Sequence, residues 1–318
     1  VAPGVASIEV FEAGHYYNDL VRFDTQTDAV VVNQSFIFTG LTETQVDTVE
    51  RDYEDYAANN NVLFVNGINN NGAVPPPASA YNGIAVNVAG DSASPLADGR
   101  SKPDISAPGS SLTSYVTPLV SGAAAILIQS ALDEDAGTGT STPASDIRTV
   151  KALLLNGATK PKGWSNSSTR PLDIDYGSGI LEINQSHLQL IAGQYAETVD
   201  DSTSSNPPGS ASNVASLKGW NLGDLSGSVS TSGSRFNRTY NYAAVTDHYY
   251  FDCNSSIADS FYLTSTLIWN RQSGRSTINN FELYLYHEDG TLIASSVSSV
   301  DNVEHLNQRH LPPGRYVL

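Results

Sequence analysis

The chain has 318 residues, and at ~100–200 residues per domain this length predicts two domains. Its 16 Lys and Arg face 33 Asp and Glu, and the net charge of −17 argues against nucleic acid as a partner, because phosphate binding needs clustered basic side chains. The single cysteine, Cys253, excludes a disulfide framework and a cysteine-based zinc site. No apolar run approaches the ~20 residues that span a bilayer, so no membrane segment is expected.

Apolar strands alternate with helical stretches in the first part of the chain. The strands are predicted over residues 6–11, 29–33, 62–65 and 84–88, and the helices over 42–59, 118–132 and 146–156. At the start of the first helix, Thr42 and Gln45 form a capping box. Strands that alternate with helices predict a parallel sheet covered on both faces, and therefore a three-layer α/β domain over residues 1–193.

The composition changes after residue 193. Residues 194–218 contain a run of Asp, Ser, Thr, Asn, Pro and Gly that lacks the apolar side chains to pack, and this predicts an irregular linker. Residues 219–318 alternate short apolar segments with turns such as Asp289-Gly290, which predicts an all-β sandwich of the jelly-roll-like kind. Its strands are predicted over residues 247–253, 260–269, 280–287, 291–296 and 314–318.

The stretch from Lys102 to Leu127 points most directly to chemistry. It places Ser114 just before Thr117-Pro118 and a run of small apolar residues that predicts a buried helix. A serine hydroxyl at the N-terminus of such a helix is well placed as a nucleophile, since the unpaired N–H groups and the helix dipole favour the negative charge of acyl transfer. The plain alternative is that Ser114 caps the helix.

Several segments, taken in order, resemble the subtilisin-like serine proteases, the subtilases of peptidase family S8. Lys102-Pro103-Asp104, Ala107-Pro108-Gly109 and Thr113-Ser114 followed by Thr117-Pro118 resemble the nucleophile segment of that family. The other matching segments are Val1–Ala6, Val31–Phe36, Val62–Gly72, Pro77–Val86 and Tyr176–Asn184. The resemblance covers residues 1–193 and implies a subtilisin-like peptidase domain there.

The resemblance also implies roles for individual residues. Ser114 would attack the scissile carbonyl, while the Asn70 side-chain amide and the Ser114 backbone N–H would hold the oxyanion. Asn69 is the alternative register for that amide, and an ordinary turn is the plain alternative for Asn70. The implied substrate-binding residues are Ser35, Phe36, Ile37, Gly67, Ile68 and Asn69. For residues 35–37, a simple strand end is the competing interpretation.

The base and its orienting carboxylate do not appear in this sequence. In the resembled family, the catalytic His and Asp precede the segment that Val1-Ala2-Pro3 resembles. No His-Gly dipeptide occurs in the chain, and His15 follows that segment instead of preceding it. With no methionine and a start at Val1, the sequence predicts an N-terminally truncated or processed chain that is inactive alone.

The C-terminal part has its own resemblance, to the pre-peptidase C-terminal type of β-sandwich. The motifs that carry it are Trp269-Asn270-Arg271, Phe281–Tyr286, Asp289-Gly290, Asp301–His305 and Leu311–Tyr316. Such modules follow secreted bacterial proteases, so the resemblance implies a secreted or cell-surface bacterial protein. Because the sequence stops within the expected last strand, we predict a C-terminally truncated sandwich.

Two functions follow from these patterns. The first is a serine endopeptidase that acts on protein or peptide substrates. The alternative is a catalytically degenerate protease scaffold that serves as an extracellular binding or adhesion protein; an acid peptidase of the sedolisin type, with Asp in place of Asn70, is a third. No cofactor is expected: Asp133-Glu134-Asp135, followed by Gly137 and Gly139, offers oxygens for calcium, but its spacing favours a solvated loop.

Overall fold

The structure is a computed structural model and describes residues 4–197, 199–202, 214–225, 229–234, 237–242 and 246–318. Three of these segments, 199–202, 229–234 and 237–242, are described by their backbone alone. Val1, Ala2 and Pro3, and residues 198 and 203–213 of the predicted linker, lie outside the described residues. The division of the chain at residues 193 and 218 therefore stays a prediction.

Four parallel strands form the centre of the first half of the chain. They are β1 (Val31–Gln34), β2 (Leu63–Gly67), β3 (Ile84–Val88) and β4 (Ile105–Ala107), and they lie side by side in that order. Every residue of β2, β3 and β4 is buried, as expected for parallel strands covered on both faces.

Helices surround this sheet. They are α1 (Ala13–His15), α2 (Glu43–Asn60), α3 (Thr113–Leu132), α4 (Ser141–Ser145), α5 (Ile147–Gly157) and α6 (Ile183–Leu190), with further helical turns at Tyr16–Leu20 and Val21–Phe23. The predicted capping box is present, because the Thr42 side chain accepts from the Gln45 N–H and the Gln45 side chain accepts from the Thr42 N–H.

The helices α2 and α3 lie on opposite faces of the sheet. Successive side chains of a strand point to opposite faces, and β2 shows which helix each face meets. The Phe64 ring packs on Tyr53 of α2, with centroids 4.9 Å apart. On the other face, a Cβ added to Gly67 would lie 2.8 Å from Thr117 Oγ1 of α3. The predicted three-layer α/β architecture is thus confirmed.

Two predicted elements differ from the structure. No strand forms over residues 6–11, where Ile8 and Val10 are 80% and 90% exposed. Alternating apolar residues become a strand only when a neighbouring strand accepts their hydrogen bonds, and the described residues offer this segment none. Helix α3 begins at Thr113, not at Pro118, which places Ser114 inside the helix.

The remaining chain forms β-strands, some joined by hairpins and others by longer connections. They are β5 (Val199–Ser202), β6 (Val229–Ser234), β7 (Asn237–Tyr242), β8 (Thr246–His248), β9 (Tyr250–Cys253), β10 (Phe261–Ile268), β11 (Leu283–His287), β12 (Leu292–Ser296), β13 (Val303–Leu311) and β14 (Gly314–Val317). The strand pairs are β5 with β8, β6 with β7 and β10 with β13, and a four-stranded sheet has the order β12, β11, β14, β9; all are antiparallel.

The pair β10–β13 and the four-stranded sheet share one apolar core. Leu306 of β13 lies in one cluster with Phe251 of β9, Leu285 of β11 and Tyr316 of β14. Two antiparallel sheets that bury side chains between them form a sandwich, so the predicted C-terminal β-sandwich is confirmed. Its assignment to the pre-peptidase C-terminal type stays a prediction.

Buried charges join the sandwich to the α/β unit. Arg271 is 2% exposed and pairs with Glu54 and Asp55 of α2. Burial raises the pKa of the Glu54 carboxyl, while Arg271 favours its ionised form. The Asp301 carboxylate of the sandwich accepts hydrogen bonds from the Ser101 N–H at 2.6 Å and the Ser101 hydroxyl at 3.1 Å. The two units are therefore one packed body at this interface.

Replacing Arg271 by methionine should destabilise the protein strongly, because Glu54 would be left buried without a counter-charge. Removal of one partner from a buried ion pair typically costs ~3–5 kcal/mol, and urea unfolding should show a loss of this size. Arg309→Ala is the matched control, since Arg309 is exposed and only covers the Tyr262 ring; its loss should stay within ~0.5 kcal/mol. Equal effects of the two substitutions would contradict the structural role of Arg271.

A second buried carboxyl, Glu304 of β13, makes stability depend on pH. It accepts hydrogen bonds from the Ser296 hydroxyl and, at 2.6 Å, from the Ser298 N–H, yet burial raises its pKa to about 8. A glutamate in the unfolded chain titrates near pH ~4.3. Between these two pH values the folded state therefore binds one proton more than the unfolded state. The stabilisation from this proton is complete below the lower pKa and is lost as the pH rises through about 8.

The Gln side chain of Glu304→Gln cannot titrate, so this variant should not lose the pH-dependent part of the stability. As the pH rises from 5 to 8, the unfolding free energy of the parent chain should fall relative to that of the variant by up to ~3 kcal/mol. Urea unfolding of both proteins across this range measures the difference. The same substitution at the exposed Glu288 is the control. A difference that does not change with pH would show that Glu304 is ionised in the folded protein.

Candidate active site

Ser114 lies half-buried in the first turn of α3. The residue before the helix, Leu112, has no side chain that caps it. Asn70, in the loop after β2, does this instead: its Oδ1 accepts from the Thr113 N–H at 2.9 Å and from the Thr113 hydroxyl at 3.0 Å. The N-terminus of α3 is therefore held by the loop that carries Asn70.

Two hydrogen-bond donors beside the Ser114 hydroxyl have no acceptor in the part of the chain that the structure describes. They are the Ser114 N–H and the Asn70 side-chain nitrogen, whose Oδ1 is already bonded to Thr113. Both stand at the positive end of the α3 dipole. Donors without a protein acceptor near a helix N-terminus suit an anion or a developing oxyanion.

The two possible registers of the oxyanion amide differ in their contacts. Asn69 is engaged in its own loop, where its Oδ1 accepts from the Asn71 N–H at 3.4 Å and its N–H donates to the Ala73 carbonyl at 2.9 Å. Asn70 is exposed and contacts α3. These contacts favour Asn70 over Asn69.

Pro118 creates a gap in the hydrogen bonding of α3 that Ser35 fills. Proline has no N–H, so the Ser114 carbonyl four residues earlier has no helical donor. The Ser35 hydroxyl donates to this carbonyl at 3.3 Å. Ser35 follows directly after β1, and the contact explains how the helix continues through Pro118 to Thr113.

A short chain of polar side chains extends this contact. The Asn33 amide donates to Ser35 Oγ at 3.3 Å, and the Ser121 hydroxyl donates to Asn33 Oδ1 at 2.9 Å. The relay begins and ends on α3, at Ser121 and at the Ser114 carbonyl. It fixes the end of β1 against the first turns of the helix.

The other residues assigned to substrate binding lie around these elements. Phe36 and Ile37 are half-buried beyond the end of β1, and the Phe36 ring meets Phe38 edge-on at 5.6 Å. Gly67 ends β2 under α3. Ile68 is buried beside Val74, Ala78 and Ala85, and its carbonyl accepts from the Thr113 hydroxyl at 2.7 Å. Their roles in substrate binding stay predictions.

No histidine is hydrogen-bonded to Ser114 among the described residues, which include all six histidines of the chain. His15 pairs with Asp19 at 2.7 Å, and both side chains are more than half exposed. His187 contacts Ser130, and His305 contacts Thr266. The described residues thus place no imidazole in hydrogen-bond contact with the Ser114 hydroxyl.

A buried carboxylate supports the segment that leads to Ser114. Asp104 Oδ2 accepts from the Lys102 ammonium at 2.6 Å and from the Ala85 N–H at 2.7 Å, and the Lys151 Nζ lies 3.0 Å from Oδ1. Burial opposes ionisation of Asp104, but Lys102 and Lys151 hold its pKa below the usual value. These contacts give Asp104 a structural role in holding Lys102 and Lys151 against β3.

Three apolar side chains of α3 are exposed among the described residues. Tyr115, Ile126 and Leu132 are 67%, 46% and 56% exposed. By length and composition α3 also resembles a membrane span, but 56% of it is buried, and it packs on the sheet as a core helix does. One of the exposed side chains, Tyr115, directly follows Ser114 in the chain.

The acidic loop after α3 is internally hydrogen-bonded. Asp133 accepts from the Gln129 amide at 2.9 Å, Glu134 from the Gly139 N–H at 3.1 Å and Asp135 from the Ser130 hydroxyl at 2.6 Å. Throughout the described ranges, no three His, Cys, Asp or Glu side chains converge as metal ligands would.

A serine hydroxyl, a nearby amide donor and a helix N-terminus resemble the parts of an acyl-transfer site, in which a serine attacks a carbonyl and donors hold the oxyanion. The sequence comparison agrees: residues 26–179 match the family model of the subtilases, Peptidase S8. The match contains both Asn70 and Ser114.

A comparison with curated proteins finds no match. Among solved structures, the chain is similar to fervidolysin from Fervidobacterium pennivorans, described as a keratinolytic enzyme related to subtilisin. The identity is 16% and the TM-score 0.35, and the similarity covers 90% of this chain. The chain spans 42% of the length of fervidolysin.

Three participants in the site were missed by sequence reasoning. Thr113 joins Asn70 to the helix, and Asn33 and Ser121 form the relay. The one available signal was Pro118, because a proline within an apolar helical run implies an unpaired carbonyl four residues earlier. The donor that meets this carbonyl is distant in sequence and could not be read from the pattern.

Asn70→Ala should destabilise the protein by ~1 kcal/mol, because the cap on α3 is lost. Asn70→Asp keeps an acceptor for the Thr113 N–H and adds a negative charge at the helix N-terminus, so it should be neutral or stabilising by up to ~1 kcal/mol. Urea unfolding measures both, with Asn71→Ser in the same loop as control. Equal losses for Ala and Asp would argue against the capping role of Asn70.

Proposed function

We propose that this chain carries the nucleophile and the oxyanion donors of a serine endopeptidase. The supporting observation is the bond from the Thr113 N–H to Asn70 Oδ1, which leaves the Asn70 amide nitrogen without an acceptor beside Ser114. Ser114 Oγ would attack the scissile carbonyl carbon, and the oxyanion would accept from Asn70 and from the Ser114 N–H. A side-chain donor of this kind contributes roughly 3–4 kcal/mol to the transition state.

The hydroxyl needs a general base to become an effective nucleophile. We propose that this base, a histidine oriented by an aspartate, comes from polypeptide outside the described residues. The exposed apolar side chains of Tyr115 and Ile126 support this proposal, since apolar side chains near a nucleophile suit a packed neighbour.

An extended peptide is the substrate that the surroundings of Ser114 favour. In the described sheet β1 pairs only with β2, so its other edge offers unpaired backbone groups next to Ser35–Ile37. An extended peptide can add to such an edge as a further strand. A peptidase for external proteins, secreted or held at a bacterial cell surface, is consistent with the sandwich that follows.

Labelling with a fluorophosphonate probe tests the proposal, because the probe reacts with an activated serine. We expect the 318-residue chain to label no faster than its Ser114→Ala variant. The chain expressed with the preceding residues of its own reading frame should label stoichiometrically at Ser114. In that longer protein, Asn70→Asp should lower kcat for peptide hydrolysis by ~10²–10³-fold, while the fold is retained.

Labelling of the 318-residue chain at Ser114 would show that the base lies within it. Failure of the longer protein to label would instead support the degenerate scaffold, a binding or adhesion protein. A loss of kcat in Asn70→Ala without a comparable loss in Asn70→Asp would assign Asn70 to the helix cap alone.

A further inference from the structure

The loop that holds Asn70 contains an Asn-Gly pair, Asn71-Gly72, whose environment differs from that of the other three such pairs. Asn71 is exposed, and its side-chain nitrogen has no hydrogen-bond partner among the described residues. Gly72 has no side chain to shield its backbone nitrogen. An asparagine amide followed by glycine is chemically labile, because the next backbone nitrogen can attack the side-chain carbonyl carbon.

Two hydrogen bonds arrange the reacting groups. The Ala73 N–H donates to Asn71 Oδ1 at 3.1 Å, which polarises the side-chain carbonyl and closes a turn that contains both Asn71 Cγ and the Gly72 nitrogen. The Gly72 N–H donates to the Asn69 carbonyl at 2.8 Å, which holds the nitrogen that would attack in a fixed position.

The other Asn-Gly pairs have bonded amide groups. Asn66 and Asn82 are each 2% exposed, and their side-chain nitrogens donate to backbone carbonyls. The half-buried Asn156 donates to the Gln189 side chain at 2.6 Å. In each of these pairs, the nitrogen that would leave as ammonia is held in place by a protein acceptor.

We propose that the Asn71 side-chain amide converts spontaneously to an acid in the folded protein. The Gly72 nitrogen attacks Asn71 Cγ, a nitrogen–carbon bond forms, and the Cγ–Nδ2 bond breaks with release of ammonia, which takes up the proton from Gly72. Water then opens the five-membered imide. Attack at Cγ gives aspartate, and attack at the Asn71 backbone carbonyl carbon gives isoaspartate, in which the backbone runs through Cγ.

The consequence concerns the neighbouring Asn70. Either product places a carboxylate one residue from the amide that would donate to the oxyanion, and isoaspartate also lengthens the backbone there. A negative charge at this position opposes a second developing negative charge. This consequence rests on the proposed function, whereas the conversion itself depends only on the loop.

Peptide mapping by mass spectrometry tests the conversion after incubation of the whole chain at mildly alkaline pH. Trypsin releases residues 52–100 as one peptide that contains Asn66, Asn71 and Asn82, and residues 152–162 as another that contains Asn156, because the bond before Pro161 resists cleavage. We expect the mass gain of amide-to-acid conversion at Asn71, with isoaspartate among the products. Since freeing a bonded amide costs ~1–3 kcal/mol, the other three should convert at least ~5-fold more slowly.

Two controls sharpen the test. The chain in concentrated urea should lose this selectivity, because all four pairs are then solvated alike. Asn71→Ser, whose hydroxyl can still accept from the Ala73 N–H, should show no gain at position 71 and should keep the fold. Conversion of Asn66 or Asn82 at the rate of Asn71 in the folded chain, or an unmodified Asn71, would overturn the proposal.

Discussion

The buried Asp104 carboxylate is the interaction on which the α/β unit depends. Lys102 and Lys151 both contact it, and Lys151 also donates to the carbonyls of Tyr81 and Gly83. One carboxylate thus ties α5, the start of β3 and the segment that enters β4. Two lysines with one aspartate leave an excess positive charge in the interior, and burial lowers the pKa of Lys151 to about 8. The backbone carbonyls around the ammonium groups compensate part of that charge.

The candidate site is assembled on this base from elements that meet only in three dimensions. Asn70, in the loop after β2, caps α3. Ser35, directly after β1, donates the hydrogen bond to the Ser114 carbonyl that Pro118 cannot donate. Parallel strands end at the same edge of a sheet, so their following loops converge there. The position of Ser114 therefore depends on two strands as well as on its own helix.

The sequence predicted the architecture better than the contacts. Continuous β-branched runs and helical periodicity identified three of the four central strands, the capping box of α2 and most strands of the sandwich. The strand β4 was missed because Ile105–Ala107 is short and lacks a distinctive pattern. The strand predicted at residues 6–11 was wrong for the opposite reason: the segment has a strand-like pattern, but no neighbouring strand pairs with it among the described residues.

For the candidate site, the sequence could name residues but not their partners. The motif around Ser114 and the loop around Asn70 were visible as local patterns. Their contact through Thr113 depends on how loop and helix pack, as do the relay through Asn33 and the ion pair of Arg271 with Glu54. Such long-range contacts are set by tertiary packing, which a local pattern does not encode.

The ion pair of Glu54 with Arg271 also orders events during synthesis. The two residues are 217 positions apart in the chain, and a ribosome adding ~5–20 residues per second needs roughly 10–40 s to make that stretch. Throughout this interval α2 carries a carboxylate whose guanidinium partner has not yet been made. The α/β unit therefore cannot complete its buried network while it emerges from the ribosome, and its final packing waits for the sandwich, which is translated after it.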